Sequence, residues 1–415
     1  MTLIVQKFGG SSVADIERIQ NVARIVAKTK REGHDVVVVV SAMYGETDRL
    51  IKLANSFLSG NQREYDALLA TGEQVSAALL SMALAQLDCP ATSFTGSQIR
   101  ILTTEVHKKA RIVDIETDLL LREIRQSRIP VVAGFQGVTP EGHVTTLGRG
   151  GSDLTAVAIA AVLQAHECQI FTDVDGVYTS DPHVIPEAQR MNRITFDEIM
   201  ELSSLGAKVL QNRCLEYAGK YKVPVRVLSS LKRGEGTLIS YDKPDKEQIL
   251  VSGIALDRQQ TQMTIQGVLQ RPGLVSYILS PISQANIDVD MIVQSVPNSA
   301  GKVDFCFTLH RDDLAEARAI LQPIVPELEA DTLLISEKVA KLSLVGVGLR
   351  THASVVSKML STLGQEGVEV LLLSASEVKV SAIVPEAYLE LGARALHQAF
   401  GLNVQPMTEE PRYFE

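Results

Sequence analysis

Apolar positions in the first part of the chain alternate between two rhythms. Leu3 to Phe8 is a short apolar-rich run that predicts a strand, and Gly9 to Ser12 predicts a turn after it. From Asp15 to Lys30, residues Ile16, Ile19, Val22, Ala23 and Val26 recur at helical spacing. Asp35 to Ser41 contains an unbroken run of valines. A strand apolar on both faces belongs in a parallel sheet covered by helices on both sides. Tyr65 to Leu87 predicts one long helix rich in Ala and Leu. Ile129–Phe135 and Cys168–Thr172 predict buried strands, with a helix from Asp153 to Gln164 between them, and Val223–Leu228 predicts a further strand. The alternation predicts an α/β domain over residues 1–239, with a largely parallel sheet and helices on both faces.

The pattern then changes. Residues 240–248 (SYDKPDKEQ) are polar and include a proline, which predicts a linker. Beyond it a strand, helix, strand, strand rhythm occurs twice, over 264–292 and again over 342–376. Gly267 matches Gly346, and Asn286-Ile287 matches Gly367-Val368. The offset of about 80 residues suits a duplicated small domain better than a solenoid. Each copy predicts a β-α-β-β-α-β, ferredoxin-like α+β unit. The expected regions are 249–341 and 342–415, with the 249–262 strand as a possible loan to the second.

The net charge of −9 removes the basic stripe that nucleic-acid or membrane-surface binding requires, yet leaves ATP binding open, because phosphates are held by local cations and backbone N–H groups. The chain has 415 residues, no Trp and 5% aromatic residues, so its cores must be built from Val, Ile, Leu and Ala. Cys89, Cys168, Cys214 and Cys306 are far apart and form no C-x-x-C pair, which fits a reducing compartment and argues against disulfides and zinc. The start MTLIVQKFGG has no signal-peptide pattern, and apolar runs such as Thr155 to Leu163 are too short to span a bilayer.

Three segments carry candidate chemistry. Lys7-Phe8-Gly9-Gly10-Ser11-Ser12 lies where the first strand meets the first helix. Its glycines allow close approach to an oxyanion, and Lys7 would place a positive charge on a transferring phosphoryl group. Taken alone, it fits an ordinary strand-to-helix turn equally well. Gly148-Arg149-Gly150-Gly151-Ser152-Asp153 is a second anion-friendly turn at a helix start, with a guanidinium fork suited to a carboxylate. Helix capping accounts for part of it. Thr172 to Pro182 is dense in turn residues and suits backbone contacts to a nucleotide. Its D-x-D-G stretch lacks the glutamate of a calcium loop. There is no G-x-x-x-x-G-K-[ST], H-E-x-x-H or G-x-S-x-G, and Gly346 to Thr351 lacks the third glycine of a dinucleotide fingerprint. The histidines are scattered.

Together these segments resemble the aspartokinases of the amino acid kinase family. The resemblance rests on KFGGSS (7–12), VVVVVSAM (36–43), TGEQVSAALLS (71–81), SFTGSQ (93–98), VAGFQGV (132–138), TTLGRGGSD (145–153), FTDVDGVYTSDP (171–182) and GAKVLQ (206–211), in order along nearly the whole chain. The two C-terminal copies resemble ACT domains. The resemblance implies transfer of phosphate from ATP, with Mg²⁺, to the side-chain carboxylate of L-aspartate. The product, 4-phospho-L-aspartate, would open lysine, threonine and methionine biosynthesis in the cytoplasm. It implies that Lys7, Phe8, Gly9 and Gly10 meet the ATP phosphates and that Asp153 organises the centre. Thr172, Asp173, Tyr178, Asp181, Pro182 and Lys208 would hold the nucleotide. Ser41, Thr47, Glu73, Arg149, Gly150, Gly151 and Ser152 would line the aspartate pocket. No protein side chains are identified as metal ligands. His183 departs from the arginine that many relatives carry after the Asp-Pro pair.

The implied chemistry is coherent. A carboxylate with a reference pKa near ~4 is already ionised at neutral pH and needs no general base. The obstacle is bringing an anion up to a polyanion, which calls for alignment and charge neutralisation. Arg149 suits the substrate's carboxylate and Glu73 its ammonium. For the ACT copies the resemblance implies lysine and threonine as effectors and a homo-oligomer, dimer or tetramer, formed through them. The corresponding niche positions are Gly273, Leu274, Asn286, Ile287, Asp288 and Gln294 in the first copy, and Thr351, His352, Val368 and Glu369 in the second. A kinase for glutamate or N-acetylglutamate, and a non-catalytic amino-acid-sensing regulator, are the alternatives.

Overall fold

The computed structural model describes residues 2–57, 60–204, 210–241 and 251–404, with Thr351 described by its backbone only. The chain forms two compact units. The N-terminal unit takes residues up to Tyr178, 190–204 and 210–241. The C-terminal unit takes 179–189 and the chain from 251 onward.

In the first unit the elements run β1 (Leu3–Phe8), α1 (Ile16–Arg31), β2 (Asp35–Val40), α2 (Glu46–Asn55), α3 (Gln62–Leu69), α4 (Thr71–Ala85), β3 (Ala91–Phe94), β4 (Ile101–Thr103), β5 (Ile112–Ile115) and α5 (Asp118–Arg125). They continue with β6 (Ile129–Ala133), β7 (Gln136–Val138), β8 (Val144–Thr146), α6 (Gly151–Val162), β9 (Glu167–Thr172), β10 (Arg193–Thr195), α7 (Phe196–Ser204), α8 (Asn212–Tyr221), β11 (Val225–Ser229) and β12 (Thr237–Ser240). The main sheet has the order β10-β12-β11-β9-β1-β2-β6-β3 and is parallel except for the β11–β12 pair. The valines of β2 are buried on both sides, each contributing about 1.5–3 kcal/mol. Val36, Val38 and Val40 join Val22 and Val26 of α1 and Leu80 and Leu84 of α4 in one core. Val39 points the other way, toward the start of α6 around Gly134 and Ser152.

The helix expected over 65–87 is broken at Ala70. The Gln136 side-chain amide donates to the Ala70 carbonyl at 2.9 Å, and Thr71 Oγ1 donates to Leu68 O at 2.7 Å. Those bonds end α3 and let α4 start afresh. The run Gln62–Ala85 is the one described helical stretch long and apolar enough to cross a bilayer, which corrects the sequence-based view that no stretch has that length. Here Leu69, Ala77, Leu80 and Leu84 of this run are buried inside the unit. A small second sheet, β5-β4-β7-β8, lies outside the expected pattern.

The C-terminal unit contains β13 (Gly253–Leu269), α9 (Leu274–Gln284), β14 (Val289–Gln294), β15 (Lys302–His310), α10 (Leu314–Glu327), β16 (Thr332–Val345), α11 (Ala353–Gln365), β17 (Leu372–Ala375), β18 (Lys379–Pro385) and α12 (Leu389–Ala399). All strands lie in one antiparallel sheet, β14-β15-β13-β16-β18-β17. β13 and β16 serve both copies. Residues 260–266 of β13 pair with 332–339 of β16 in the first copy, and 253–257 pair with 341–345 in the second. Register shifts between Asp257 and Gln262 separate the two halves.

The 179–189 segment packs within this unit. Ile254 N donates to Thr179 O at 2.7 Å, Thr179 Oγ1 lies 2.9 Å from His397 Nε2 of α12, and Arg394 Nε donates to Val184 O at 3.2 Å.

Candidate active site

β1 lies between β2 and β9, so the chain leaves β1 to one side and later returns on the other. In such a sheet the carboxyl ends of these strands flank a ligand crevice. Lys7 sits there at the end of β1. It is buried, and its Nζ lies 2.6 Å from Asp153 Oδ1 in the first turn of α6. Phe8 turns away. Its ring is fully buried and stacks on Phe171 at 4.6 Å, so only its backbone is left for a ligand. Gly9 N donates to Phe171 O at 3.2 Å, tying the first glycine turn to the end of β9. A Cβ on Gly10 would stand 3.0 Å from Ala42 O, so only glycine lets this turn lie against residue 42.

The same Ala42 links the turn to Glu73. Ala42 N donates to Glu73 Oε1 at 3.1 Å. Glu73 is 3% exposed, and its Oε2 is buried with no hydrogen-bond partner among the described residues. Burial pushes its carboxyl up to about 8, against the lowering effect of the Ala42 N–H. A carboxylate oxygen sealed from water and given no donor is poised for a donor brought by a ligand. Ser41, half-buried, follows β2 and donates its N–H to Phe8 O at 3.0 Å. Thr47 lies in the first turn of α2, also half-buried.

The second glycine turn is held in a conformation that side chains resist. Gly150 has φ +70°, and a Cβ there would meet the Gln211 side chain at 2.4 Å. Gly151 and Ser152 open α6 and are buried. Arg149 at the apex is exposed and has no ion-pair partner among the described residues.

On the β9 side, Thr172 Oγ1 donates to Asp173 Oδ1, and the Tyr178 hydroxyl donates to Asp175 Oδ1, both at 2.9 Å. Burial and the Asp175 contact raise the Tyr178 hydroxyl above its ordinary range. Asp181 and Pro182 fall in the segment that packs with the C-terminal unit. There Asp181 Oδ1 accepts from His183 N at 2.9 Å. Lys208 lies outside the described residues. Among the described residues no three His, Cys, Asp or Glu side chains converge as a metal site.

In the C-terminal unit Gly273, at φ +83°, starts α9 and borders an open groove of about 480 Å³ with Ser276, Tyr277, Ser280, Pro281 and Ile324. The side chains of Leu274, Ile287 and Val368 are buried, so an effector would meet only their backbones. Asn286 follows α9 at φ +57°. Asp288, Gln294, His352 and Glu369 are exposed, and the Thr351 backbone lies in a short 3-10 turn before α11.

Residues 2–229 match the amino acid kinase family, and residues 342–400 match an ACT domain. The chain is 53% identical over 405 residues to an aspartate kinase of Stutzerimonas stutzeri (strain A1501), covering 97% of this chain and 98% of that one. The chain belongs to the aspartokinases of the amino acid kinase family. Two solved structures of E. coli aspartokinase III have the same fold at 27% identity. One, in complex with aspartate and ADP (R-state), has a TM-score of 0.76. The other, in complex with lysine and aspartate (T-state), has 0.78. Each covers 96% of this chain and 99% of its own.

Two features of this aspartokinase escaped the sequence reading. Ser230 Oγ, in the loop after β11, donates to Ser12 Oγ at 2.7 Å, and Asn21 Nδ2 donates to Ser230 O at 2.8 Å, so this loop is pinned to the first glycine turn. Nothing in the local sequence marks Ser230. The other is Arg213 in the first turn of α8, where the helix dipole disfavours a cation. That misplacement was a usable signal.

Proposed function

We propose that the chain transfers the γ-phosphoryl group of ATP to the side-chain carboxylate of L-aspartate, giving 4-phospho-L-aspartate. The observation that carries this reading is Glu73 Oε2, buried, without a hydrogen-bond partner among the described residues, and joined through Ala42 to the turn beside Lys7. A carboxylate so placed selects a substrate with an ammonium group. In this reading Glu73 accepts that ammonium, Arg149 forks onto the substrate's α-carboxylate, and Ser41, Thr47 and Ser152 complete the pocket.

Lys7 neutralises the transferring group, and Asp153 holds the Lys7 ammonium in place at 2.6 Å. The Gly9-Gly10 turn lets its backbone approach the phosphates, with the Gly9 N–H held by Phe171 O and the Gly10 N–H left for a ligand, and Thr172, Asp173 and Tyr178 flank the nucleotide. The nucleophile is already an anion, so the protein supplies alignment and charge rather than a base. Mg²⁺ would enter with the nucleotide's phosphates and spread their charge, and Asp153, beside Lys7, is a carboxylate that could face it. The closeness of aspartokinase III supports aspartate and ADP as ligands of the kinase unit and lysine as an effector.

We further infer that threonine is a second effector, that the chain forms a homo-oligomer through its ACT copies, and that it works in the cytoplasm at the head of lysine, threonine and methionine synthesis. All four cysteines are buried free thiols, which suits a reducing compartment. The test is ATP turnover with aspartate, glutamate and N-acetylglutamate, then with lysine and threonine added singly and together. Turnover on aspartate is expected. Preference for glutamate or its acetylated form, or no turnover at all, would reject the reading.

A further inference from the structure

The turn that carries Arg149 has glycines at φ +78° and φ +70° on either side of it, so it has little stiffness of its own. Its position must come from what grips its stem. Arg213 does this with a planar fork. Nη1 donates to Leu147 O at 2.7 Å, and Nη2 donates to Ala110 O at 2.6 Å. Leu147 directly precedes Gly148, and its N–H is itself held by Phe135 O at 2.9 Å. Ala110 is held in turn, its N–H donating to Thr146 O at 3.0 Å. The peptide groups entering the turn are therefore tied on both sides, and one guanidinium closes the set. Gln211, two residues earlier, packs against Gly150 on the far limb.

The arrangement is costly for a plain structural arginine. Arg213 is half-buried, makes no ion pair with a carboxylate among the described residues, and feels repulsion from Arg111 that outweighs the attraction of Glu216. A guanidinium spent on two carbonyls, with burial pulling its pKa down, is better explained if the carbonyls must be held together.

We propose that Arg213 is a positioning residue for the aspartate-binding turn: by clamping the carbonyls of Leu147 and Ala110 it sets where Arg149 meets the substrate. The proposal rests on the aspartate reading above. Asp153 has holds besides this clamp. Its helix start bonds to the turn through Gly151 N and Gly148 O at 2.9 Å, but it is also tied to the end of β6 by Phe135 N donating to Thr155 Oγ1 at 3.2 Å and to β1 by the Lys7 ion pair. Loss of the clamp should therefore fall on aspartate binding and spare the chemical step.

The experiment is steady-state kinetics on the full-length chain. Wild-type turnover on aspartate, measured first, tests the aspartate reading by itself. In Arg213→Lys the charge stays but the planar fork that reaches both carbonyls at once is lost. The KM for aspartate is expected to rise about tenfold, with kcat and the KM for ATP within about threefold of wild type. In Arg213→Ala the rise is expected to be larger, and added methylguanidinium is expected to reverse part of it. If Arg213→Ala fails to fold, Arg213→Lys decides. Equal rises in both KM values, or an unchanged aspartate KM beside a lowered melting temperature, would overturn the proposal.

Discussion

The two units use their glycine turns differently. In the kinase unit the turns aim charged side chains and leave polar atoms waiting. Lys7 meets Asp153, Glu73 Oε2 has no donor, and Arg149 stands without a partner among the described residues. In the C-terminal unit Gly273 and Gly348 also precede helical turns at positive φ, yet Leu274 and Leu349 after them point into the core. There the Gly273 turn offers backbone and a groove lined by uncharged residues. A catalytic centre must stabilise a specific charge distribution, so it needs named side chains. A sensing module needs only a surface that differs between two states.

The sharpest way to break this contrast is Lys7→Ala. Removing one preorganised cation from the crevice is expected to lower kcat by about 10²–10³-fold with the melting temperature little changed. Near-normal turnover would mean that the kinase turns do not work through charge.

Glu73→Gln tests the waiting oxygen. It is expected to raise the KM for aspartate by about 10–100-fold, the worth of one charge-assisted hydrogen bond, with the KM for ATP unmoved. In the wild type the unliganded carboxyl titrates at about 8, so below that pH aspartate must expel a proton to pair with it. The aspartate KM should thus fall as pH rises toward 8, by up to about tenfold per pH unit, and Glu73→Gln should flatten that slope. The sign for stability is the reverse. A carboxyl whose folded value is raised favours the folded state below the ordinary 4.5, and this contribution is lost as pH rises through about 8. Melting of the ligand-free protein across that window, with and without the substitution, checks it.

On the other side of the comparison, Gly273→Val fills a groove and strains a residue at φ +83°. It is expected to weaken effector inhibition by about 5–10-fold without lowering uninhibited turnover, as dose–response curves for lysine and threonine would register. Equal loss of turnover would mean that Gly273 serves folding alone. The smallest effect is expected from Thr179→Val, which leaves buried His397 Nε2 without its hydroxyl partner. A stability loss of about 1–3 kcal/mol by denaturant melt is expected, with kcat unchanged.

What was legible in the sequence follows the same divide. β1 ends where the glycine pair begins, and the valine run of β2 allows no other place than the middle of a parallel sheet. The charged types needed for phosphoryl transfer, Lys7, Glu73, Arg149 and Asp153, were visible as types in turns. Their geometry was not, because it depends on distant partners. The break at Ala70 is made by Gln136, 66 residues away, and the Arg213 clamp joins segments 66 and 103 residues apart. β4, β7 and β8 were missed because three-residue strands carry too few positions to show a period. Leu274, Ile287 and Val368 were named for their place beside loops, while their apolar side chains were claimed by the core.

The central claim concerns where two anions meet, and a complex with aspartate and a non-hydrolysable ATP analogue tests it most directly. The account expects the aspartate ammonium within hydrogen-bonding distance of Glu73 Oε2 and the terminal phosphate against Lys7 and the Gly9-Gly10 turn. An aspartate or a terminal phosphate bound away from these groups would contradict it.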